Sequence, residues 1–78
     1  MIDKKHLEIV LRIGKKLKLR RIELELTQQQ VADKIPKMDR AKISDMENGK
    51  EDFFFSKLLN VCDALEISVE ETLKKDEE

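Results

Sequence analysis

The sequence predicts an all-α fold of five helices, and three observations carry that reading. Helix formers (Leu, Glu, Lys, Ile and Gln) are abundant and strand formers few, with 2 Gly, 1 Pro and no Trp or Tyr in 78 residues. Apolar residues recur at helical rather than alternating spacing. Four of the five apolar stretches follow a capping side chain, and Pro36 and Gly49 each close one of them. The length fits one compact domain. It is expected to span 1–78, with a core at about 13–73, a helical N-terminal extension at 1–12 and a frayed acidic tail at 74–78. A chain this short gains buried surface by pairing.

Asp3 caps a first helix in which Leu7, Val10, Ile13, Leu17 and Leu24 recur at helical spacing. Gly14 offers a close-packing spot on it, and the helix is expected to end near Glu25. Thr27 and Gln30 fit a capping box, in which the Thr hydroxyl accepts from the N–H three residues on. The second helix then runs from Gln28 to Lys34. Pro36 stops it, because proline holds Ile35 extended and cannot continue the helical ladder. Ile35-Pro36-Lys37-Met38 is therefore a turn.

Asp39 is the N-cap of a third helix, Arg40 to Asn48, which buries Ile43 and Met46. Gly49 suits the left-handed position that closes it, and Lys50-Glu51-Asp52 is a loop. A fourth helix covers Phe55 to Leu65 with Phe55, Leu58, Leu59, Cys62 and Leu65 inward. Ser68 and Glu71 form a second capping box for a last short helix containing Val69, Thr72 and Leu73.

The net charge of −1 conceals an uneven distribution. Residues 1–50 carry 13 Lys and Arg against 8 Asp and Glu, a net of +5. Residues 51–78 carry 3 Lys against 9 acids, a net of −6. An electropositive face on the first half points to a polyanionic partner. One cysteine, Cys62, excludes an internal disulfide or a cysteine-based zinc site, and its apolar neighbours make it a buried structural thiol. A single His, no glycine-rich phosphate loop and no metal-ligand spacing argue against an enzyme, a cofactor or a metal site. No apolar run reaches transmembrane length, and the N-terminus lacks the apolar core of a signal peptide. A cytoplasmic location is expected.

The informative stretch runs from Leu26 to Gly49. Two short helices are joined by a brief turn, and the second is lightly apolar and rich in hydrogen-bonding side chains. That is the helix-turn-helix arrangement, whose second helix enters the DNA major groove. Ala32 is small where the second and third helices must approach, and Ile43 anchors the third against it.

Four separated motifs strengthen this reading: Leu26-Thr27-Gln28-Gln29-Gln30-Val31-Ala32, Ile43-Ser44-Asp45-Met46-Glu47-Asn48-Gly49-Lys50, Leu58-Leu59 and Ala64-Leu65-Glu66-Ile67. In this order and spacing they resemble the phage-repressor/Cro (Xre-type) helix-turn-helix family over roughly residues 13–73. The resemblance implies a five-helix, lambda-repressor-type domain. It also implies sequence-specific binding of double-stranded DNA as a homodimeric transcriptional regulator, a repressor, on a pseudo-palindromic operator. Three departures stand out. The turn before the third helix is one residue longer than usual, Pro36 stands where a turn Gly is common, and Glu66 replaces the usual Gly after the fourth helix.

Several residue roles follow from the resemblance. Gln28 matches the family glutamine that bonds a DNA phosphate and braces the third helix, and Arg21 and Glu47 match a structural ion pair between the first and third helices. Base readout falls to Lys37, Asp39, Arg40, Ala41, Ser44 and Asp45. Arg40 is suited to guanine O6 and N7, and Ala41 to a thymine methyl. Asp39 is a cap before it is a reader, and Asp45 either accepts from cytosine or repels phosphate from a wrong register. Lys42, Asn48 and Lys50 are placed on the DNA backbone.

Phe53-Phe54-Phe55 is the least ordinary segment, since three consecutive residues cannot all face inward from a helix start. Phe55 is assigned to the core and Phe54 to the surface, as an interface anchor. Phe54, Leu65, Ile67 and Leu73 are the dimer candidates. His6 is read as surface. The alternative function is an antitoxin or other protein-interaction module that uses the same domain with a toxin or other protein partner. A membrane partner is disfavoured by the mixed charges of the first helix.

Overall fold

The computed structural model describes residues 3–50 and 53–75. Met1 and Ile2 of the extension, Glu51 and Asp52 of the loop, and Asp76 to Glu78 of the tail lie outside the described residues. A 3-10 turn, Lys4–His6, leads into α1 (Leu7–Glu23), followed by α2 (Gln28–Asp33), α3 (Arg40–Glu47), α4 (Phe55–Leu65) and α5 (Val69–Leu73). No strand occurs among the described residues. Leu7 to Arg12 are the first turns of α1 itself, and Arg12 Nη1 reaches the Leu73 carbonyl at 3.4 Å.

Capping chemistry sets the starts. The Asp3 carboxylate accepts from Lys5 N–H at the first turn, and the Thr27 hydroxyl accepts from Gln30 N–H at 3.0 Å. The Gln30 side chain returns the bond by accepting from Thr27 N–H at 2.8 Å, which completes the capping box. Asp39 accepts from Lys42 N–H at 2.8 Å and Ser68 from Glu71 N–H at 3.1 Å.

The ends of α1, α3 and α4 share one device. Leu26, Lys50 and Ile67 donate their N–H groups back to Arg21, Asp45 and Cys62 carbonyls, around a preceding residue in the left-handed conformation. That residue is Gly49 after α3, but Glu25 after α1 and Glu66 after α4, with φ of 60° and 56°. At Glu66 the Arg20 guanidinium helps, its Nε donating to the Leu65 carbonyl at 2.9 Å and its Nη2 to the Glu66 carbonyl at 3.4 Å. Helix ends leave such carbonyls unpaired, so Arg20 supplies donors they otherwise lack.

α1 lies across α3, α4 and α5. Ile13, Leu17, Val31, Ala32, Ile35, Ile43, Met46, Leu58, Val61, Cys62 and Leu65 form the buried core. Gly14 is what lets α1 close on α3. A Cβ built there would lie 2.7 Å from the Glu47 carbonyl oxygen and closer still to that of Met46.

The inward stripe of α4 is rotated relative to the sequence expectation. Leu58, Cys62 and Leu65 point in with Val61, whereas Phe55 and Leu59 are 63% and 41% exposed. Phe53, in the extended segment before the helix, packs on the core in place of Phe55. The apolar arc on α4 is wider than the buried one, and its Val61 edge is the buried side. Leu65 is 1% exposed, so it belongs to the core and is removed from the dimer candidates.

Candidate nucleic-acid interface

α3 divides cleanly into two faces. Ile43, Met46 and Glu47 are buried, at the spacing of one helical stripe. On the other side Arg40 and Ala41 are exposed and Ser44 and Asp45 half-exposed. Lys37 and Asp39, just before the helix, are exposed, as are Asn48 and Lys50 just after it. The turn that delivers α3 is left-handed at Lys37, with φ 63°, so the backbone reversal falls one residue after Pro36. Ile35 is buried beneath that turn.

The buried end of α3 is held by a carboxylate. Glu47 Oε2 accepts from Arg21 Nε at 2.7 Å, and its Oε1 accepts from Arg21 Nη2 at 3.2 Å. The two side chains are 13% and 3% exposed. Such a two-pronged pair fixes angle as well as distance. Arg21 Nη1 also donates to the Leu26 carbonyl at 2.9 Å, which ties the α1–α2 connection to the same guanidinium.

Gln28, the first residue of α2, joins this group. Its Nε2 donates to Glu47 Oε1 at 3.1 Å, and its Oε1 receives a longer 3.4 Å contact from Arg40 Nη1. The carboxylate sets the amide orientation, since a reversed amide would place oxygen against oxygen. The amide nitrogen carries a second hydrogen. Gln28 is half-buried, with α3 on one side. Arg21, Glu47, Gln28 and Arg40 thus form one chain of contacts through α1, α2 and α3.

Other expected site residues have local duties. Asp39 is committed as the α3 cap. Asn48 Nδ2 donates to the Ser44 carbonyl at 2.9 Å and to its hydroxyl at 3.3 Å, so both side chains lie on one local network. Lys42 is half-buried. Phe54 is 77% and Leu73 43% exposed, and Ile67 packs partly on the core. Sequence reasoning did not find the Gln28–Arg40 contact, the Gln28–Glu47 bond or the role of Arg20. The available signal for Arg20 was its place beside Arg21: successive helical residues point about 100° apart, so two adjacent arginines serve different neighbours. No group of acidic, His or Cys side chains among the described residues has the arrangement of a metal site. No helix there is long and apolar enough to cross a membrane.

Comparison with known proteins agrees with this fold. A sequence model of a family described as a helix-turn-helix domain matches residues 12–73. The crystal structure of the clp gene regulator ClgR from C. glutamicum superposes with a TM-score of 0.77 and 25% identity, covering 83% of this chain and 82% of that one. No curated protein matched the chain.

Proposed function

The chain belongs to the helix-turn-helix domain family, and from that membership we propose that it is a cytoplasmic, non-enzymatic transcriptional regulator, a repressor that binds double-stranded DNA as a homodimer. In this reading α3 lies in the major groove and the two copies place their third helices about one helical turn (~34 Å) apart on a pseudo-palindromic operator. The observation that carries it is the solvent-facing row of α3, held in place from behind by the buried Glu47 contacts. Arg40 reads guanine and Ala41, Ser44 and Asp45 sample the adjoining edges, with Lys37 and Asp39 at the near end of the row. Gln28, Lys42, Asn48 and Lys50 hold phosphates. Likeness to the clp gene regulator ClgR supports the regulatory assignment. Pairing through the α4–α5 side, by Phe54, Ile67 and Leu73, leaves the reading row open.

Selection of binding sites from a random duplex library tests this. A two-fold symmetric consensus, bound far more tightly than random duplex and weakening steeply with salt, is the expected result. Arg40→Ala then relaxes preference at one base pair by ~1–3 kcal/mol. Failure of the folded protein to enrich any site at moderate salt would overturn the reading and leave a protein-interaction scaffold.

A further inference from the structure

An apolar hollow of about 210 Å³ opens between α1, the start of α4 and α5. Its walls include Val10, Phe53, Phe55, Leu58, Val69 and Leu73, and every residue lining it is apolar. Phe54 lies between two of the wall residues in the chain, yet 77% of it is exposed. We propose that this hollow is the socket for Phe54 of a second copy of this chain, so that two reciprocal ring insertions hold the dimer. The inference rests on the homodimeric reading above and specifies how the copies meet.

Size, symmetry and area all favour this occupant. A cavity of ~150 Å³ lined by Leu, Ile and Phe accommodates benzene, so the hollow admits a phenyl ring. A two-fold interface uses the same patch on both copies and must therefore be self-complementary. Here projecting ring and apolar hollow occur side by side on one surface. Phe54, Phe55, Leu59 and Leu73 are 77%, 63%, 41% and 43% exposed. With ~200 Å² for an aromatic side chain, they present on the order of 400 Å² of apolar surface. A standard interface of ~800 Å² per partner is a little over half apolar, which needs about the same area. None of the wall residues comes from α2 or α3, so ring exchange does not compete with DNA.

The test uses two variants of the full chain, each checked for helix content and cooperative melting. Phe54→Ala removes the ring and keeps the hollow; Leu73→Trp crowds the hollow and keeps the ring. Sedimentation equilibrium of each alone should give a dimer dissociation constant raised on the order of a hundredfold, because two symmetry-related anchors are lost together. Mixing the two should recover a heterodimer, since the Phe54 ring of the Leu73→Trp copy enters the intact hollow of the Phe54→Ala copy. A Phe54→Ala dimer as tight as the parent, or no recovery on mixing, overturns the ring insertion while leaving the homodimer in place. A parent chain that stays monomeric, free and on its operator, overturns the homodimeric reading itself and the insertion with it.

Discussion

Gln28 and Glu47, nineteen residues apart, are joined by a 3.1 Å hydrogen bond from the amide of one to the carboxylate of the other. The same oxygen accepts from Arg21, so a single buried acid sets both the position of α3 and the orientation of the α2 glutamine. Glu47 is therefore expected to be the most sensitive polar position in the chain. Glu47→Ala should cost about 3 kcal/mol in urea denaturation, because it strands a mostly buried guanidinium. Replacing both partners, Arg21→Met with Glu47→Leu, should restore much of that loss, since a buried pair adds little net stability over apolar packing. DNA affinity should not return with it, because Gln28 then lacks its brace. A double variant less stable than Glu47→Ala would refute this assignment.

Gln28 itself separates positioning from charge. Gln28→Ala should weaken every operator variant by a similar factor and leave the salt slope almost unchanged, because the amide is neutral. Lys50→Ala should instead lower the slope of log K against log salt by ~0.9. Equal slopes for the two variants would remove Lys50 from the phosphate contacts.

At Gly14 the constraint is steric. The atoms nearest an added Cβ are backbone carbonyl oxygens of Met46 and Glu47, which cannot rotate away as a side chain would. Gly14→Ala improves intrinsic helix propensity by about 1 kcal/mol, yet the net effect should be a loss of ~1–3 kcal/mol from overpacking. The displaced α3 should lose operator affinity as well. A thermal melt that rises instead would mean that α1 and α3 separate without cost.

Much of this architecture is legible in the sequence because its signals are local. Thr27, Asp39 and Ser68 act within three residues of themselves, and Pro36 and Gly49 limit helices by their own backbone chemistry. The face of α4 is not local. Phe55 and Leu59 lie on the same broad apolar arc as Leu58 and Cys62, and only the packing of the other helices on α4 decides that Val61 is covered instead. Phe53 precedes the helix, where helical periodicity has no bearing on direction. Leu65 looked like an interface residue by its place at the end of α4, but its side chain completes the core. The Gln28–Arg40 contact is illegible for a related reason: it depends on the angle between α2 and α3, which an eccentric turn sets through Lys37.

Left-handed Glu66 provides a further check. A residue with a Cβ at φ 56° costs ~1–2 kcal/mol relative to its right-handed conformation, and glycine escapes that cost. Glu66→Gly should therefore raise stability by about 1 kcal/mol, a shift of ~4–8 °C in the melting midpoint for a domain of this size. Operator affinity should be untouched, because Glu66 follows α4, lies outside α2 and α3, and keeps the backbone carbonyl that accepts from Arg20. Lys37→Gly relieves a similar conformation at φ 63° but removes a cation beside α3. It should gain stability while losing affinity, and a Lys37→Gly protein that binds as well as the parent would take Lys37 off the DNA face.

Cys62 ties core burial to pH. It is 2% exposed, and desolvation pushes its thiol above the ordinary value, with the neighbouring Asp63 carboxylate adding to the rise. The folded chain thus holds the thiol proton more tightly than the unfolded chain does. Its contribution to stability is complete below the unfolded thiol value of ~8.5 and is lost as pH rises from there through the folded value. Cys62→Ala removes the titrating group at the expense of a small cavity, so the parent should be the more stable at neutral pH. The difference between the two should narrow between pH 8 and pH 10 as the unfolded parent gains a thiolate. Chemical denaturation of both proteins across that range measures it directly. A difference that stays constant with pH would mean that Cys62 ionises as easily inside the folded core as outside it.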